Sequence, residues 1–121
     1  MSATVFLMSK ILPNFEGMII IKGIPFRRIN GITLFPFIIV RSQNPDKILI
    51  NHERIHIRQQ LELLIIPFYI WYVAEWLYHY AQCKEWWAAY RKISFEKEAY
   101  INQEDMEYLK NRKMWVFLKY R

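Results

Sequence analysis

Cysteine, glycine and histidine are scarce in this 121-residue sequence, which contains 1, 3 and 3 of them respectively. The lone Cys83 excludes a disulfide framework and a zinc ribbon built on several cysteines. It also favours a reducing compartment over secretion. No basic segment precedes the apolar residues of Met1–Lys10, so we expect no signal peptide there. The expected location is therefore the cytoplasm, with association with the inner membrane as the alternative.

Apolar residues are abundant: 54% of the chain is hydrophobic and 17% is aromatic, which excludes a disordered polar tail. The length predicts a single domain over residues 1–121. The net charge of +6 is concentrated at both ends, and basic ends attract phosphate groups of lipids or nucleic acids. Because no nucleic-acid-binding motif accompanies these charges, we do not expect nucleic acid as a partner.

Two segments rich in branched and aromatic residues lie in the first third of the chain. They cover residues 18–22 and 32–41, with the turn signal Asn30-Gly31 between them, and this order predicts a β-hairpin or ribbon. Pro36 cannot donate a backbone hydrogen bond, which places the second strand at a sheet edge or a bulge.

Helical patterns follow. Asn44 as N-cap and Pro45 at the first position begin a helix that runs to Ile66, and Pro67 kinks or ends it. Further helices are predicted over Phe68–Gln82, over Glu85–Ile93, from Ser94 with a span near 95–102, and as an amphipathic segment from Glu104 onward. The predicted fold is α+β and mostly α, with a β-ribbon region (1–43), a long helix (44–66) and a helical remainder (67–121).

The long helix contains the motif His52-Glu53-Arg54-Ile55-His56, an HExxH sequence. Two histidines four residues apart project from one helix face, so their ring nitrogens can bind one zinc ion at about 2.0–2.1 Å. Zinc lowers the pKa of its bound water, and Glu53 is placed to take the proton as general base. The motif predicts a hydrolytic zinc centre.

A catalytic zinc ion needs a third protein ligand. The segment Glu96-Lys97-Glu98-Ala99-Tyr100 resembles a motif of the gluzincins, zinc metallopeptidases such as thermolysin, in which a later helix supplies a glutamate, often within Glu-x-x-Ala-Asp. The resemblance implies a zincin-like core with Glu96 as third ligand. Tyr100 stands where the family has an aspartate that supports a ligand histidine. With Gln59-Gln60 behind the first motif, the arrangement also resembles small uncharacterised bacterial HExxH proteins.

Two other glutamates compete for the third position. Glu98 lies about 200° around a helix from Glu96, so both cannot face one ion. Glu75 follows His56 by 19 residues, a gap closer to that of thermolysin. Glu75 also suits a hydrogen bond to the outer nitrogen of a histidine. Glu96 is favoured, and the alternatives stay open.

The expected function is a minimal zinc metallopeptidase that hydrolyses a peptide or protein substrate through a zinc-bound water. Tyr90 and Tyr100 are candidates for stabilising the oxyanion, and residues 32–41 are a candidate edge strand for binding the substrate by strand addition. The alternative is a non-catalytic zinc-binding or vestigial zincin that acts as a membrane-associated or partner-binding module.

An apolar stretch raises the membrane question. Leu63–Ala74 is twelve residues long and uncharged, whereas a spanning helix needs roughly 20. If the stretch is extended to Cys83, Pro67 and Glu75 interrupt it. We favour a helix at the centre of the core that packs on the HExxH helix, with membrane-surface contact and a true span as alternatives. Core packing with exposed lysines is likewise favoured for the basic, aromatic segment Tyr108–Arg121.

Overall fold

A computed structural model describes residues 19–121 and shows an α+β fold that is mostly α. The expectation about a signal peptide in Met1–Lys10 lies outside the described residues, as does Met18 of the first predicted strand. Three short strands form one sheet in the order β1-β3-β2. They are β1 (Ile19–Ile21), β2 (Gly31–Leu34) and β3 (Phe37–Val40). Strand β3 pairs in parallel with β1 and antiparallel with β2.

The predicted hairpin turn at Asn30-Gly31 is wrong. The Asn30 carbonyl accepts a hydrogen bond from the Arg41 backbone N–H at 2.8 Å, so this dipeptide begins β2 instead of reversing the chain. The chain reverses direction at Phe35-Pro36, between β2 and β3. Proline has no backbone N–H, and none is required at this turn. Residues 32–41 are therefore two strands, with β2 at the sheet edge and β3 in the centre.

The helices lie close to their predicted positions. They are α1 (Lys47–Leu63), α2 (Ile65–Cys83), α3 (Trp86–Lys92), α4 (Ser94–Asn102), α5 (Tyr108–Asn111) and a 3₁₀ helix (Val116–Tyr120). The N-cap of α1 is Asp46, not Asn44: its Oδ1 accepts from the Leu49 backbone N–H at 2.8 Å. Helix α1 is capped at its C-terminus by Leu64, whose φ is 61°. Pro67 consequently lies in the first turn of α2, where a missing N–H is tolerated.

The predicted amphipathic helix from Glu104 onward is also wrong. Only a four-residue helix and a 3₁₀ helix form there. Between them Arg112 has extended backbone and only 5% of its surface is exposed. The chain leaves the helical path at the point where this guanidinium enters the interior.

Helix α1, not α2, is the central element. It contacts β2, β3, α2 and α4. On one side its Ile57 and Leu61 pack with Ile38 and Val40 of β3. The second apolar cluster joins α2 to the C-terminal half of the chain through Phe68, Ile93, Phe95 and Phe117. Helix α2 buries only Phe68 completely, so the expectation that it forms the centre of the core is wrong.

Within residues 19–121, no single helix combines the length and apolarity needed to cross a membrane. Helices α1 and α2 meet this test only when taken together, and they are bent by 111° at their junction.

Candidate metal centre

The two histidines of the HExxH motif and Glu96 converge on one point. Nε2 of His52 lies 3.2 Å from Nε2 of His56. The Glu96 carboxylate spans both rings, with Oε1 at 3.1 Å from His52 Nε2 and Oε2 at 3.2 Å from His56 Nε2. All three side chains are buried. Among residues 19–121 these three form the group whose ligand atoms could hold a metal ion.

These separations fit a tetrahedral ion. Ligand atoms about 2.0–2.1 Å from a common tetrahedral centre lie about 3.3 Å apart. The two Nε2 atoms are 3.2 Å apart, and each lies 3.1–3.2 Å from a different oxygen of the Glu96 carboxylate. Two imidazoles and one carboxylate also form a donor set that suits zinc. The residues therefore fit the ion that the sequence motif predicts.

The hydrogen bonds of His56 show which of its nitrogens is available. The Gln59 side-chain amide donates to the Phe95 carbonyl at 3.1 Å and to Glu98 Oε1 at 3.0 Å, which fixes the orientation of the amide. Gln59 Oε1 must then accept from His56 Nδ1–H, at 2.8 Å. In a neutral ring this leaves the Nε2 lone pair directed at Glu96. The Nε2 lone pair and the carboxylate oxygens repel one another unless a proton or a metal cation lies between them.

His52 is held in a similar way by α4's C-terminal extension. Its Nδ1 lies 2.8 Å from Gln103 Oε1, and the neighbouring Asn51 amide donates to the Gln103 carbonyl at 2.8 Å. Tyr100, at the position of the family's aspartate, touches the His52 ring edge-on at 4.5 Å between centroids. The supporting acceptor is thus Gln103 and not residue 100. Oriented acceptors of this kind fix the tautomer of metal-binding histidines.

Electrostatics reinforce the cluster. Burial alone would lower the pKa of His56, but the Glu96 carboxylate outweighs it and raises the pKa to about 9. Burial alone would raise the pKa of the Glu96 carboxyl, but the two histidines outweigh burial and hold this pKa far below its ordinary value. Tyr72 donates a further hydrogen bond to Glu96 Oε2 at 2.6 Å. Glu96 is therefore an anion aimed at a cation-binding point.

The two competing glutamates are directed elsewhere. Glu98 is fully buried on the other side of α4, where it accepts from the Arg112 guanidinium and from the Tyr108 hydroxyl. Glu75 accepts from the Trp71 indole N–H at 2.6 Å and from the Ser94 backbone and hydroxyl. The suggested bond between Glu75 and a histidine is not formed. Of these three glutamates, Glu96 alone reaches the two histidine rings, since Glu98 is held by Gln59 and Arg112 instead.

Behind the histidines lies a buried charge network that sequence reasoning missed. Arg112 bridges Glu98 and Glu62, and all three side chains are buried. Glu62 also accepts from the Trp115 backbone N–H at 3.0 Å. Since Glu98 binds Gln59, the network continues to the ring of His56. The only sequence signal was an arginine within a basic tail, which ordinarily indicates a solvated charge.

Glu53 lies beside the ligands, where α1 contacts β2. Its Oε2 accepts from the Thr33 hydroxyl of β2 at 2.5 Å. Burial raises the pKa of its carboxyl, and the charges of His56 and His52 oppose that rise. A Cβ added at Gly31 would lie 3.1 Å from Glu53 Oε1. The start of β2 thus lies against this glutamate, and a side chain at residue 31 would require the carboxylate to shift by a few tenths of an ångström.

A cleft of about 280 Å³ opens onto His52 and Glu53. Tyr90, Tyr100 and Arg91 lie along it, and the Arg91 guanidinium stacks over the Tyr100 ring at 4.7 Å. Both tyrosines predicted as oxyanion stabilisers therefore face the space next to the ligands. Burial raises the pKa of each of them, and the Glu96 charge adds to the effect, so their hydroxyls remain donors.

The edge of β2 is only partly open. The Gln60 amide donates to the Thr33 carbonyl at 2.7 Å and accepts from the Phe35 backbone N–H at 2.9 Å. The Tyr69 hydroxyl binds the same carbonyl. These side chains block a substrate from pairing with the second half of β2. The strand addition expected for residues 32–41 is therefore not open there.

A scan against protein-family models and searches of curated proteins and of solved structures returned no match to this chain.

Proposed function

We propose that this protein is a minimal zinc-dependent metallopeptidase with a zincin-like core of the gluzincin type. His52, His56 and Glu96 are its metal ligands, and Glu53 is its general base. The observation that carries the proposal is the convergence of two imidazole Nε2 atoms, 3.2 Å apart, with one carboxylate whose two oxygens lie 3.1 and 3.2 Å from them. The side chains come from α1 and α4, 40 residues apart in the chain.

When bound, a zinc ion would act as a Lewis acid that makes water nucleophilic near neutral pH. Every other contribution comes from the chain. Thr33 holds Glu53 Oε2, which leaves Oε1 to take the proton from the attacking water and to deliver it to the leaving amine. Burial favours this transfer because it raises the pKa of Glu53, against the opposing charges of His56 and His52.

The cleft supports a peptide substrate. Tyr90 and Tyr100 place hydroxyl donors beside the ligands, where negative charge develops on the carbonyl oxygen. The open side of β2 near Gly31 lies at the same cleft. A substrate backbone in this cleft would pass Glu53 on one side and the tyrosines on the other.

The test combines metal content with cleavage. Purified protein, stripped by chelator and reloaded, is expected to hold about one zinc ion per chain. Glu96→Gln and His56→Ala should lose it, because each removes one of three ligands. Glu53→Gln should retain zinc and lose cleavage of a peptide library by at least about 10²-fold. Glu104→Gln, an exposed carboxylate outside the site, is the matched control and should change neither.

Two results would overturn the proposal. Cleavage that survives in Glu53→Gln would exclude the assigned base. Zinc bound at full occupancy without cleavage of any library peptide would instead support the alternative, a non-catalytic zinc-binding module.

A further inference from the structure

Helix α2 carries an apolar stripe on its outer surface. Ile66, Ile70, Val73 and Leu77 follow one another at intervals of four and three residues, and 51–72% of each is exposed. This is the spacing of one continuous helix face. A soluble surface rarely leaves such a face uncovered without a binding role.

A groove of about 870 Å³ runs beside the stripe. Pro67, Ile70 and Tyr78 form its apolar wall, and Arg121 lies at its margin. The groove is separate from the metal cleft, with which it shares no lining residue.

Several cationic side chains lie near the groove. Partial burial lowers the pKa of His79 in the groove wall, Glu75 raises it, and Lys97 and Lys92 lower it further, which places both lysines within electrostatic reach. Lys84, exposed at the C-terminal end of α2, and Arg121 add two more cations.

Negative charge is absent from the outer face of α2. Glu75 is the only acidic residue between Leu64 and Cys83, and both of its oxygens are engaged, by Trp71 and by Ser94. An apolar face with cations nearby, and with its one carboxylate already engaged, is complementary to a surface with acyl chains below and anionic headgroups above.

We propose that the α2 stripe and its cationic border bind the surface of an anionic phospholipid membrane, with α2 lying in the plane of the interface. Tyr78 and Tyr80, exposed at 61% and 40%, would lie at headgroup depth, where tyrosine is enriched. The metal cleft is not part of this surface. The membrane contact therefore stands or falls independently of the proposed hydrolase activity.

A second copy of the chain fits this surface less well. In a two-fold contact each patch meets its own equivalent, so the cations around one groove would face the same cations of the other. Like charges placed opposite one another at an interface are unfavourable. The lipid surface has the opposite charge.

The test is cosedimentation of the full chain with vesicles. Binding is expected to vesicles of phosphatidylglycerol and phosphatidylcholine, and to weaken by about tenfold or more with phosphatidylcholine alone. The double variant Ile70→Ser/Leu77→Ser should reduce the partition coefficient by about tenfold or more. Ile101→Ser is the matched control, since Ile101 is 67% exposed on α4 and lies outside the stripe.

A charge variant provides a second test that leaves the stripe intact. Lys92→Glu/Arg121→Glu should lose binding to the anionic vesicles, whereas Lys47→Glu at the start of α1 should have a smaller effect. The proposal is overturned if the chain ignores anionic vesicles or if the stripe variant binds as well as Ile101→Ser. It is also overturned if sedimentation velocity shows a dimer that Ile70→Ser/Leu77→Ser dissociates.

Discussion

At the scale of single residues, the candidate metal centre depends on two glutamines as well as on its proposed ligands. Gln59 and Gln103 each accept a hydrogen bond from the outer nitrogen of one histidine. Each thereby directs an Nε2 lone pair toward Glu96. Gln59 is itself fixed by Phe95 and Glu98, so the geometry of His56 is set by α4.

Gln59→Leu should therefore weaken zinc binding by about 10–100-fold, the usual cost of losing the partner of a metal-bound histidine. Competition with a chelator of known affinity measures it. The matched control is Gln82→Leu, an exposed glutamine on α2, which should bind zinc normally. Equal affinities in the two variants would show that Gln59 does not orient His56.

His56 predicts how the stability of the metal-free protein varies with pH. Its folded-state pKa is raised from 6.5 to about 9, since Glu96 outweighs the effect of burial. A raised pKa stabilises the fold fully below pH 6.5, and this stabilisation is lost as pH rises toward 9. The loss should be on the order of 3 kcal/mol.

Chemical denaturation of chelator-treated protein at pH 6, 7.5 and 9 measures this loss. His56→Gln should flatten the profile because it removes the titrating ring. A free energy of unfolding that increases from pH 6 to 9 would contradict the assigned sign.

Gly31→Ala tests the fit of Glu53 against β2. The new methyl group would lie 3.1 Å from Glu53 Oε1 and 3.3 Å from the Ile39 carbonyl, which is backbone and cannot easily move. We expect the carboxylate to be displaced, with zinc retained and cleavage reduced about tenfold or more. Normal cleavage by Gly31→Ala at full zinc occupancy would show that this position does not constrain the base.

At the scale of secondary-structure elements, a buried ion pair joins the segment after α4 to α1, in addition to the hydrogen bonds of Asn51 and Glu62. Arg112 neutralises Glu62 on α1 and Glu98 on α4. Removal of the guanidinium leaves two buried carboxylates without a counter-charge, which is costly.

Arg112→Met should therefore lower the free energy of unfolding by about 3–5 kcal/mol. The control is the adjacent and exposed Lys113→Met, expected to lie within about 0.5 kcal/mol of the wild-type value. Urea denaturation measures both variants. A loss below about 1 kcal/mol in Arg112→Met would mean that the network contributes little to the fold.

Local signals predicted most elements but not how they associate. Helix α1, the break near Pro67 and the helix from Ser94 follow from periodicity, proline and spacing. The hairpin turn predicted at Asn30-Gly31 was wrong because Asn30 leads directly into β2, and its carbonyl accepts from the Arg41 backbone N–H. The helix predicted from Glu104 onward was wrong because Arg112 is buried through ion pairs with Glu62 and Glu98, which no local pattern indicates.

At the scale of the whole molecule, the small sheet, α2 and α4 surround α1, and polar groups fill part of its interior. Asn51, His52, Glu53, His56, Gln59 and Gln60 are all buried on this one helix. Purely apolar packing along the roughly five turns of this helix would be more stable, so this concentration of polarity points to a site.

The HExxH spacing was sufficient to predict that His52 and His56 share one face of a helix, while the role of Glu53 as a base stays a prediction. The choice of Glu96 over Glu98 and Glu75 required the resemblance, because composition and periodicity do not show which helix packs against which. Gln103 and Arg112 could not be predicted, since each acts through a contact more than 45 residues away in the chain.

The most direct measurement of the central claim is an anomalous difference map, at the zinc absorption edge, from crystals of the zinc-loaded protein. The account predicts one peak about 2.0–2.1 Å from Nε2 of His52, Nε2 of His56 and a Glu96 carboxylate oxygen. A peak at any other group of side chains, or no peak between these three residues at full zinc loading, would contradict it.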